Sequence, residues 1–439
     1  MVELRASVGV RGDRTASRQL PLTWAQANMW ESIQALGSGT RRLNLVAFKL
    51  LPAGTLTVER AVARLGTFVS GFDIARTTFD AHGPSQVLWP DIELGLRLVE
   101  AGEDPSVALD ALSATVTAEP FALDEPPIRL GLVVDDGQVR GFAAGVSHLA
   151  FDGRSIRPLR RLVDAALSGT DTAATLQTGE LVRLETSPDM RAWSTATLDR
   201  WLAALASLPV GGGLRRTAPG AFTESVLRSR ALAVAARTVA VRASVSSTSV
   251  LLAALTTILR EAVAEPPSAL LLVSDNRHHR QLADFAGIAA GNALYRIPHR
   301  APGSDFDTYV RHAHLSAARG YARARYDSHR WRELLFGLTS RGSAPDLSYY
   351  FNDARADPTA WDGLEDHLDE LRDLDRTGGE VVTRGHRDMN DATMFVSVEE
   401  AGSSAQLAAT SDDAVIPPEL ARAVLHGVER FLVRAALAA

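Results

Sequence analysis

The chain has 439 residues, 46% hydrophobic and 22% charged, with a formal net charge of −6 and no cysteine. That length exceeds one comfortable core and points to two domains, and the absent thiol excludes disulfides, thiolate metal sites and a cysteine nucleophile. The acidic balance, with no basic run interleaved with aromatics, argues against nucleic acid; no segment reaches the roughly 18 uncharged apolar residues of a membrane span, and MVELRASVGVRGDRTASRQLPL at the N-terminus lacks a signal-type apolar core, so a soluble, cytoplasmic protein is expected.

Helical periodicity, with apolar residues recurring at three and four, runs through 23–36 (TWAQANMWESIQAL) and 57–70 (TVERAVARLGTFVS). Strand-like runs occupy 44–51 (NLVAFKLL), 128–134 (IRLGLVV) and 139–147 (VRGFAAGVS), and the Asp136-Gly137 pair between the last two predicts an antiparallel hairpin. A second Asp-Gly pair, Asp152-Gly153, precedes SIRPLRRLVDAALSG, a helix that tolerates Pro158 in its first turn and stops at Gly169. The polar, turn-rich stretch 173–190 is the expected linker between an N-terminal lobe (15–172) and a C-terminal lobe (191–439). In the second lobe, helices are predicted at 191–208, 247–264 and 418–437, with a strand at 269–274. The pattern is α/β throughout, without internal repeats.

The chemistry-bearing stretch is Ser147-His-Leu-Ala-Phe-Asp-Gly153, at the exit of the second hairpin strand. An imidazole exchanges its proton near neutral pH, and a strand-to-loop junction holds it rigidly at an accessible place, so His148 is a sensible base. Composition alone leaves open a capped surface histidine. Ser147 and His148 are adjacent on a strand and point to opposite faces, which disfavours a serine nucleophile with His148 as its base. Gly153 permits a conformation closed to residues with a Cβ, and Asp152 is expected to fix the loop by accepting hydrogen bonds or by pairing with an arginine. Other histidines carry less chemistry: His278 and His279 lack a third ligand at metal spacing, and His312 and His314 face different directions on a helix, so no metal is expected.

The stretch SHLAFDG resembles the His-His-x-x-x-Asp-Gly signature of the condensation domains of nonribosomal peptide synthetases, within the chloramphenicol acetyltransferase-like superfamily. The flanking order strengthens the likeness. PLTWAQANMW supplies Pro21, Leu22, Gln26 and Trp30 of the family's opening block, and FDIARTTF supplies Arg76, Thr77 and Phe79, with Phe72 and Asp73 in place of a His and a Glu. EPFALDEPPIRLGLV, LDRWLAALASLP, SVLLAALTTILREAV, LLLVSDNR and GIAAGNALYRIP follow in the family's order. The departures are Ser147 for the first His, Phe72 for the upstream His, and one extra residue between Gly287 and Asn292.

The resemblance implies an α/β (α+β) fold of two chloramphenicol acetyltransferase-like lobes in a V with a central tunnel. It makes His148 the functional residue and Asp152 a structural one, with Gly153, Arg76 and Ser147 beside them; Asp152 is expected to pair with Arg76. Asn292, Arg277 and Asn352 become candidates along the substrate path. No carrier, adenylation or thioesterase segment is recognisable in the chain. The expected function is therefore that of a free-standing condensation enzyme joining a thioester-bound acyl group to an amine in natural-product biosynthesis. It would bind no cofactor of its own, its donor arriving on the phosphopantetheine arm of a carrier protein in trans, and the acceptor being a small molecule or carrier-bound. Arg157, Arg160 and Arg161, and Arg319, Arg323 and Arg325, are the candidate docking cations for an acidic carrier. Two alternatives stand beside this reading: ester formation on a small alcohol, and a non-catalytic recruitment module, which has no need of a positioned base.

Overall fold

A computed structural model describes residues 3–8, 17–36, 43–54, 56–170, 176–211, 221–300, 305–357, 359–373, 378–387 and 392–438. The chain divides into two compact units. The first holds Met1–Trp193, Asp275–Ala290 and Asp327–His329; the second holds Ser194–Ser274, Gly291–Tyr326 and Arg330–Ala439.

The first unit opens with β1 (Glu3–Val8), β2 (Arg18–Pro21), α1 (Trp24–Leu36), β3 (Asn44–Leu50) and α2 (Val58–Gly71). It continues through β4 (Thr77–Phe79), β5 (Ser85–Leu88), β6 (Leu94–Glu100), α3 (Pro105–Val116), β7 (Ile128–Asp135), β8 (Gln138–Ser147) and α4 (Ile156–Ser168). Five strands form a sheet in the order β1-β6-β7-β8-β3, and β2-β5-β4 form a small second sheet. The hairpin β7–β8 turns on Asp136 (φ 47°) and Gly137 (φ 70°), both left-handed as a two-residue type I′ turn requires.

β8 is buried on both faces, which explains its run of small residues. Ala144 and Val146 pack with Leu65 and Phe68 of α2 and Leu159 and Val163 of α4. Ala143 faces Leu109, Leu112 and Val116 of α3 on the other side. At Gly145 a Cβ would stand 2.4 Å from the carbonyl oxygen of Val116, so this position admits only glycine at the present helix-to-strand distance.

Residues 173–190, expected as a linker, instead carry α5 (Thr178–Glu185) within the first unit, followed by the start of α6 (Pro188–Leu205). The composition is polar, yet Leu181 is buried against Leu282, Phe285 and Ala289, and Glu185 accepts from the backbone N–H of Trp24 at 2.8 Å. Those partners lie far away in sequence, so the local pattern understated the helix. Residue 15, residues 172–175 and residue 439, which bound the expected domains, lie outside the described residues.

The second unit contains most of α6, then β9 (Phe222–Ser229), α7 (Arg230–Ala243), α8 (Ser247–Ala262), β10 (Ala269–Ser274), β11 (Gly291–Arg296), α9 (Phe306–Tyr321) and most of α10 (Ser328–Ser340). It closes with β12 (Tyr349–Asp353), β13 (Glu380–Arg387), β14 (Met394–Ala401), β15 (Ser404–Asp412) and α11 (Pro418–Leu437). Its sheet runs β11-β10-β12-β14-β15-β9-β13. One face is covered by α7, α8, α9 and α11, the other in part by α6 and α10. No single helix among the described residues is long and apolar enough to cross a membrane; the bent pair α7–α8 is apolar because it fills this core.

Replacing Gly145 by Ala forces α3 off β8, because the clashing atom belongs to the backbone. The expected cost is about 1–3 kcal/mol, read as a lower thermal unfolding midpoint. An unchanged midpoint would show that α3 yields freely.

Candidate active site

The strand β8 ends in a turn whose backbone is hydrogen-bonded on both sides of His148. Ser147 N–H donates to Pro127 O at 3.1 Å, and Ser147 O accepts from the N–H groups of Ala150 and Phe151 at 3.0 Å each. Ser147 Oγ accepts from Leu149 N–H at 3.3 Å, and Ala150 O accepts from Ile288 N–H at 2.7 Å. Leu149, Ala150 and Phe151 are fully buried, whereas His148 is only half-buried. Its Nδ1 is enclosed and has no hydrogen-bond partner among the described residues. The turn therefore presents one imidazole on a rigid base and commits none of its hydrogen-bonding capacity to neighbours at Nδ1.

Asp152 is 3% exposed, and its carboxylate is fully engaged. Oδ1 accepts from Ser155 N–H at 2.8 Å, completing a reciprocal capping box in which the Ser155 hydroxyl oxygen accepts from Asp152 N–H at 3.0 Å. Oδ2 accepts from the Arg277 guanidinium at 3.0 Å and from the backbone N–H groups of Ala289 and Ala290 at 2.8 and 3.1 Å. Arg277 donates further to the carbonyls of Asp275, Phe285 and Gly287 at 3.1, 3.2 and 2.9 Å. Asn276, in the left-handed region at φ 55°, donates from its side chain to Ala289 O at 2.8 Å. Segment Asp275–Ala290 is thus tied to the loop that carries His148.

The expected Asp152–Arg76 pair is not formed. Arg76 is satisfied near its own position in sequence, donating to Asp73 at 3.0 Å and to the carbonyls of Trp89 and Pro90 at 2.6 and 2.7 Å. The requirement for a cation beside a buried carboxylate was sound, but Arg277 meets it. Arg277, expected along the substrate path, donates through both terminal nitrogens to this clamp. The sequence sign of this was the polar SDNR following an apolar strand, which places an arginine immediately after a turn. Gly153 also differs from expectation: its φ is not left-handed, and a Cβ there would meet nothing within 4 Å. Of the remaining path candidates, Asn292 lies on β11 opposite Val273 and Asn352 on β12 opposite Ser397, both half-buried in the second unit.

The docking candidates separate as well. Arg157 and Arg160 are exposed on α4, and Arg161 pairs with Asp284 at 2.5 Å. On or after α9, Arg319 is exposed, while Arg323 is half-buried and donates to Thr197 at 3.4 Å. Burial, and then the charge of Arg200, lower the pKa of Arg323. Arg325 is 5% exposed and so offers no surface charge to a partner protein; the next residue, Tyr326, packs on Trp201, which also meets Trp331. The rings of His278 and His279 lie 4.2 Å apart, and no three metal-ligating side chains gather among the described residues.

Asp152→Asn and Arg277→Met should each cost about 3 kcal/mol or more, since each leaves a buried partner uncompensated. The double variant should cost less than the sum of the two. Thermal or urea unfolding checks both, with Gly153→Ala as a control expected to stay within about 0.5 kcal/mol. Strict additivity would disprove the coupling.

No protein-family model matches the chain. Over 139 residues, 31% of its length, it is 31% identical to tyrocidine synthase 3 of Brevibacillus parabrevis; the match spans 2% of that protein. Among solved structures, it superimposes on a condensation domain that mediates chain release from the enacyloxin polyketide synthase with a TM-score of 0.72 and 18% identity, covering 97% of this chain and 84% of that one. The condensation domain of the Monacolin K polyketide synthase MokA gives 0.68 and 14% identity, covering 96% and 98%. The SgcC5 protein of Streptomyces globisporus gives 0.67 and 14%, covering 95% and 98%. With the ordered blocks around SHLAFDG and the clamp on Asp152, these likenesses show that the chain has the condensation-domain fold of nonribosomal peptide and polyketide synthases.

Proposed function

We propose that the chain is a condensation-type acyltransferase that moves an acyl or aminoacyl group from a carrier-protein thioester to an amine. One observation carries this reading: the motif's two ionisable side chains have divided their work. Asp152 is sealed into the structure by four donors, while His148 stands half-exposed on a hydrogen-bonded turn, its enclosed Nδ1 bound to no neighbour among the described residues. A group that is to handle protons must be both fixed and unspent.

In the reaction the amine nitrogen attacks the thioester carbon, the C–N bond forms, the C–S bond breaks, and the proton shed by nitrogen ends on the departing sulfur. His148 either takes that proton as a base or stabilises the zwitterionic intermediate by a hydrogen bond. The likeness to nonribosomal and polyketide synthase domains supports a donor held on phosphopantetheine. The exposed Arg157 and Arg160 offer an acidic carrier a docking surface on α4. In a second reading the same proton handling by His148 serves a hydroxyl acceptor, and the product is an ester.

Incubating the full chain with acyl-loaded carrier proteins and candidate amines or alcohols, and reading products by intact mass, tests the assignment. His148→Ala should lower turnover by about 10²-fold or more with fold and carrier binding intact; a near-wild-type rate refutes it. Arg157→Glu with Arg160→Glu should raise KM for carrier-bound donor and leave a short thioester mimic unaffected, and raised salt should reproduce the defect. Faster use of free coenzyme A thioesters than of carrier thioesters would refute the carrier-dependent reading.

A further inference from the structure

Ser147 stands where the condensation signature has its first histidine, and its side chain lines a cavity of about 270 Å³ within the first unit. His148 does not line it. The walls are mixed: Ile33 of α1, Phe79 of β4, Phe121, Leu123, Pro127 and Leu149 supply the apolar part, and Gln34, Asn44, Glu125 and Ser147 the polar part. An imidazole at position 147 would project into this space, so the serine is what leaves it open.

The cavity is held in shape before anything enters. Asn44 donates to the carbonyls of Thr117 and Glu119 at 3.1 and 2.7 Å, and Phe79 N–H donates to Leu123 O at 2.7 Å. Arg129 donates to the carbonyls of Glu119 and Pro120 at 2.7 and 2.8 Å and stacks on Phe121, 3.9 Å from the ring centre. Glu125 Oε1 accepts from Ala122 N–H at 2.7 Å and from Arg129 at 2.6 Å, so the one carboxylate in the wall is already neutralised. These hydrogen bonds fix the whole 117–129 segment that walls the cavity.

The chemistry of an occupant follows from what is left over. The Ser147 oxygen accepts from Leu149 N–H, but its hydrogen has no acceptor among the described residues; the other neutral polar groups in the wall are the Gln34 amide and Asn44 Oδ1, whose Nδ2 is spent on carbonyls. A free cation finds the carboxylate taken, and a free anion would sit against it. A cavity of about 150 Å³ already holds a benzene ring, so the space here suits a single ring or a short aliphatic chain. We infer that this cavity is a binding site for a small neutral molecule with an apolar body and a carbonyl oxygen, which accepts a hydrogen bond from Ser147. The site is separate from the proton-handling role of His148 and does not depend on it.

Cyclohexanone is a suitable probe, titrated into the full chain and followed by saturation-transfer NMR, with cyclohexylammonium and cyclohexanecarboxylate as charged comparators. The ketone should bind saturably and both charged analogues at least tenfold more weakly. Ser147→Ala should weaken the ketone about three- to tenfold, the worth of one neutral hydrogen bond. Ser147→His, which fills the cavity, should abolish binding; Ala122→Trp, at the exposed rim, should do the same and stands in if the histidine variant does not fold. No saturable binding to the wild-type chain, equal binding of the charged analogues, or undiminished binding by Ser147→His or Ala122→Trp would overturn the inference.

Discussion

A carboxylate taken out of water must find its compensation inside the protein, and the first unit is organised around one such group. Transferring an ion from water to the interior costs several kcal/mol even after relaxation. Asp152 recovers this from one local donor, Ser155 just before α4, and from three donors in the remote segment Asp275–Ala290. That segment lies in sequence between β10 and β11, two hydrogen-bonded strands of the second unit, yet it belongs to the first. Covalent continuity alone would not put it there. The ion pair, two backbone N–H groups and the buried Leu282 and Phe285 do.

The position of His148 depends on that clamp from one side and on β8 from the other. β8 is squeezed between α3 and the pair α2 and α4, and it admits this by carrying glycine and alanine where the helices come closest. A strand packed on both faces has no freedom to slide, because a shift of one residue would exchange the two faces. The turn after it therefore emerges at one fixed place. Two adjacent residues then meet different surroundings: Ser147 lines a partly open cavity and His148 does not.

Arginine does most of the tethering in this chain, which has a single lysine. Arg277, Arg76 and Arg129 each hold one carboxylate together with two or more loop carbonyls. In the second unit Arg355, fully buried, grips Asp353 through two nitrogens, reaches Ser247 and Thr248, and stacks on Trp361. The planar guanidinium carries five donors in a fixed fork, so one side chain can fix several chain segments at once. An ammonium could not replace it at these places.

What the sequence determined by itself is local. Periodicity and turn chemistry located α1, α2, the β7–β8 hairpin with its Asp136-Gly137 turn, α4 with its glycine stop, α8, β10 and α11 to within a few residues, because each rests on contacts or dihedral preferences between near neighbours. The same locality put His148 at a strand exit beside an Asp-Gly pair and singled it out as the candidate base. Tertiary structure decided what depends on remote partners. It turned the presumed linker into α5, whose apolar residues pack on Leu282 and Phe285. It gave Asp152 to Arg277, because Arg76 was already satisfied by carbonyls thirteen and fourteen residues away. It buried Arg325, left Gly153 without a conformational duty, and opened a cavity beside Ser147. None of these has a local signature, since each turns on which residues the folded chain brings within hydrogen-bonding or packing distance.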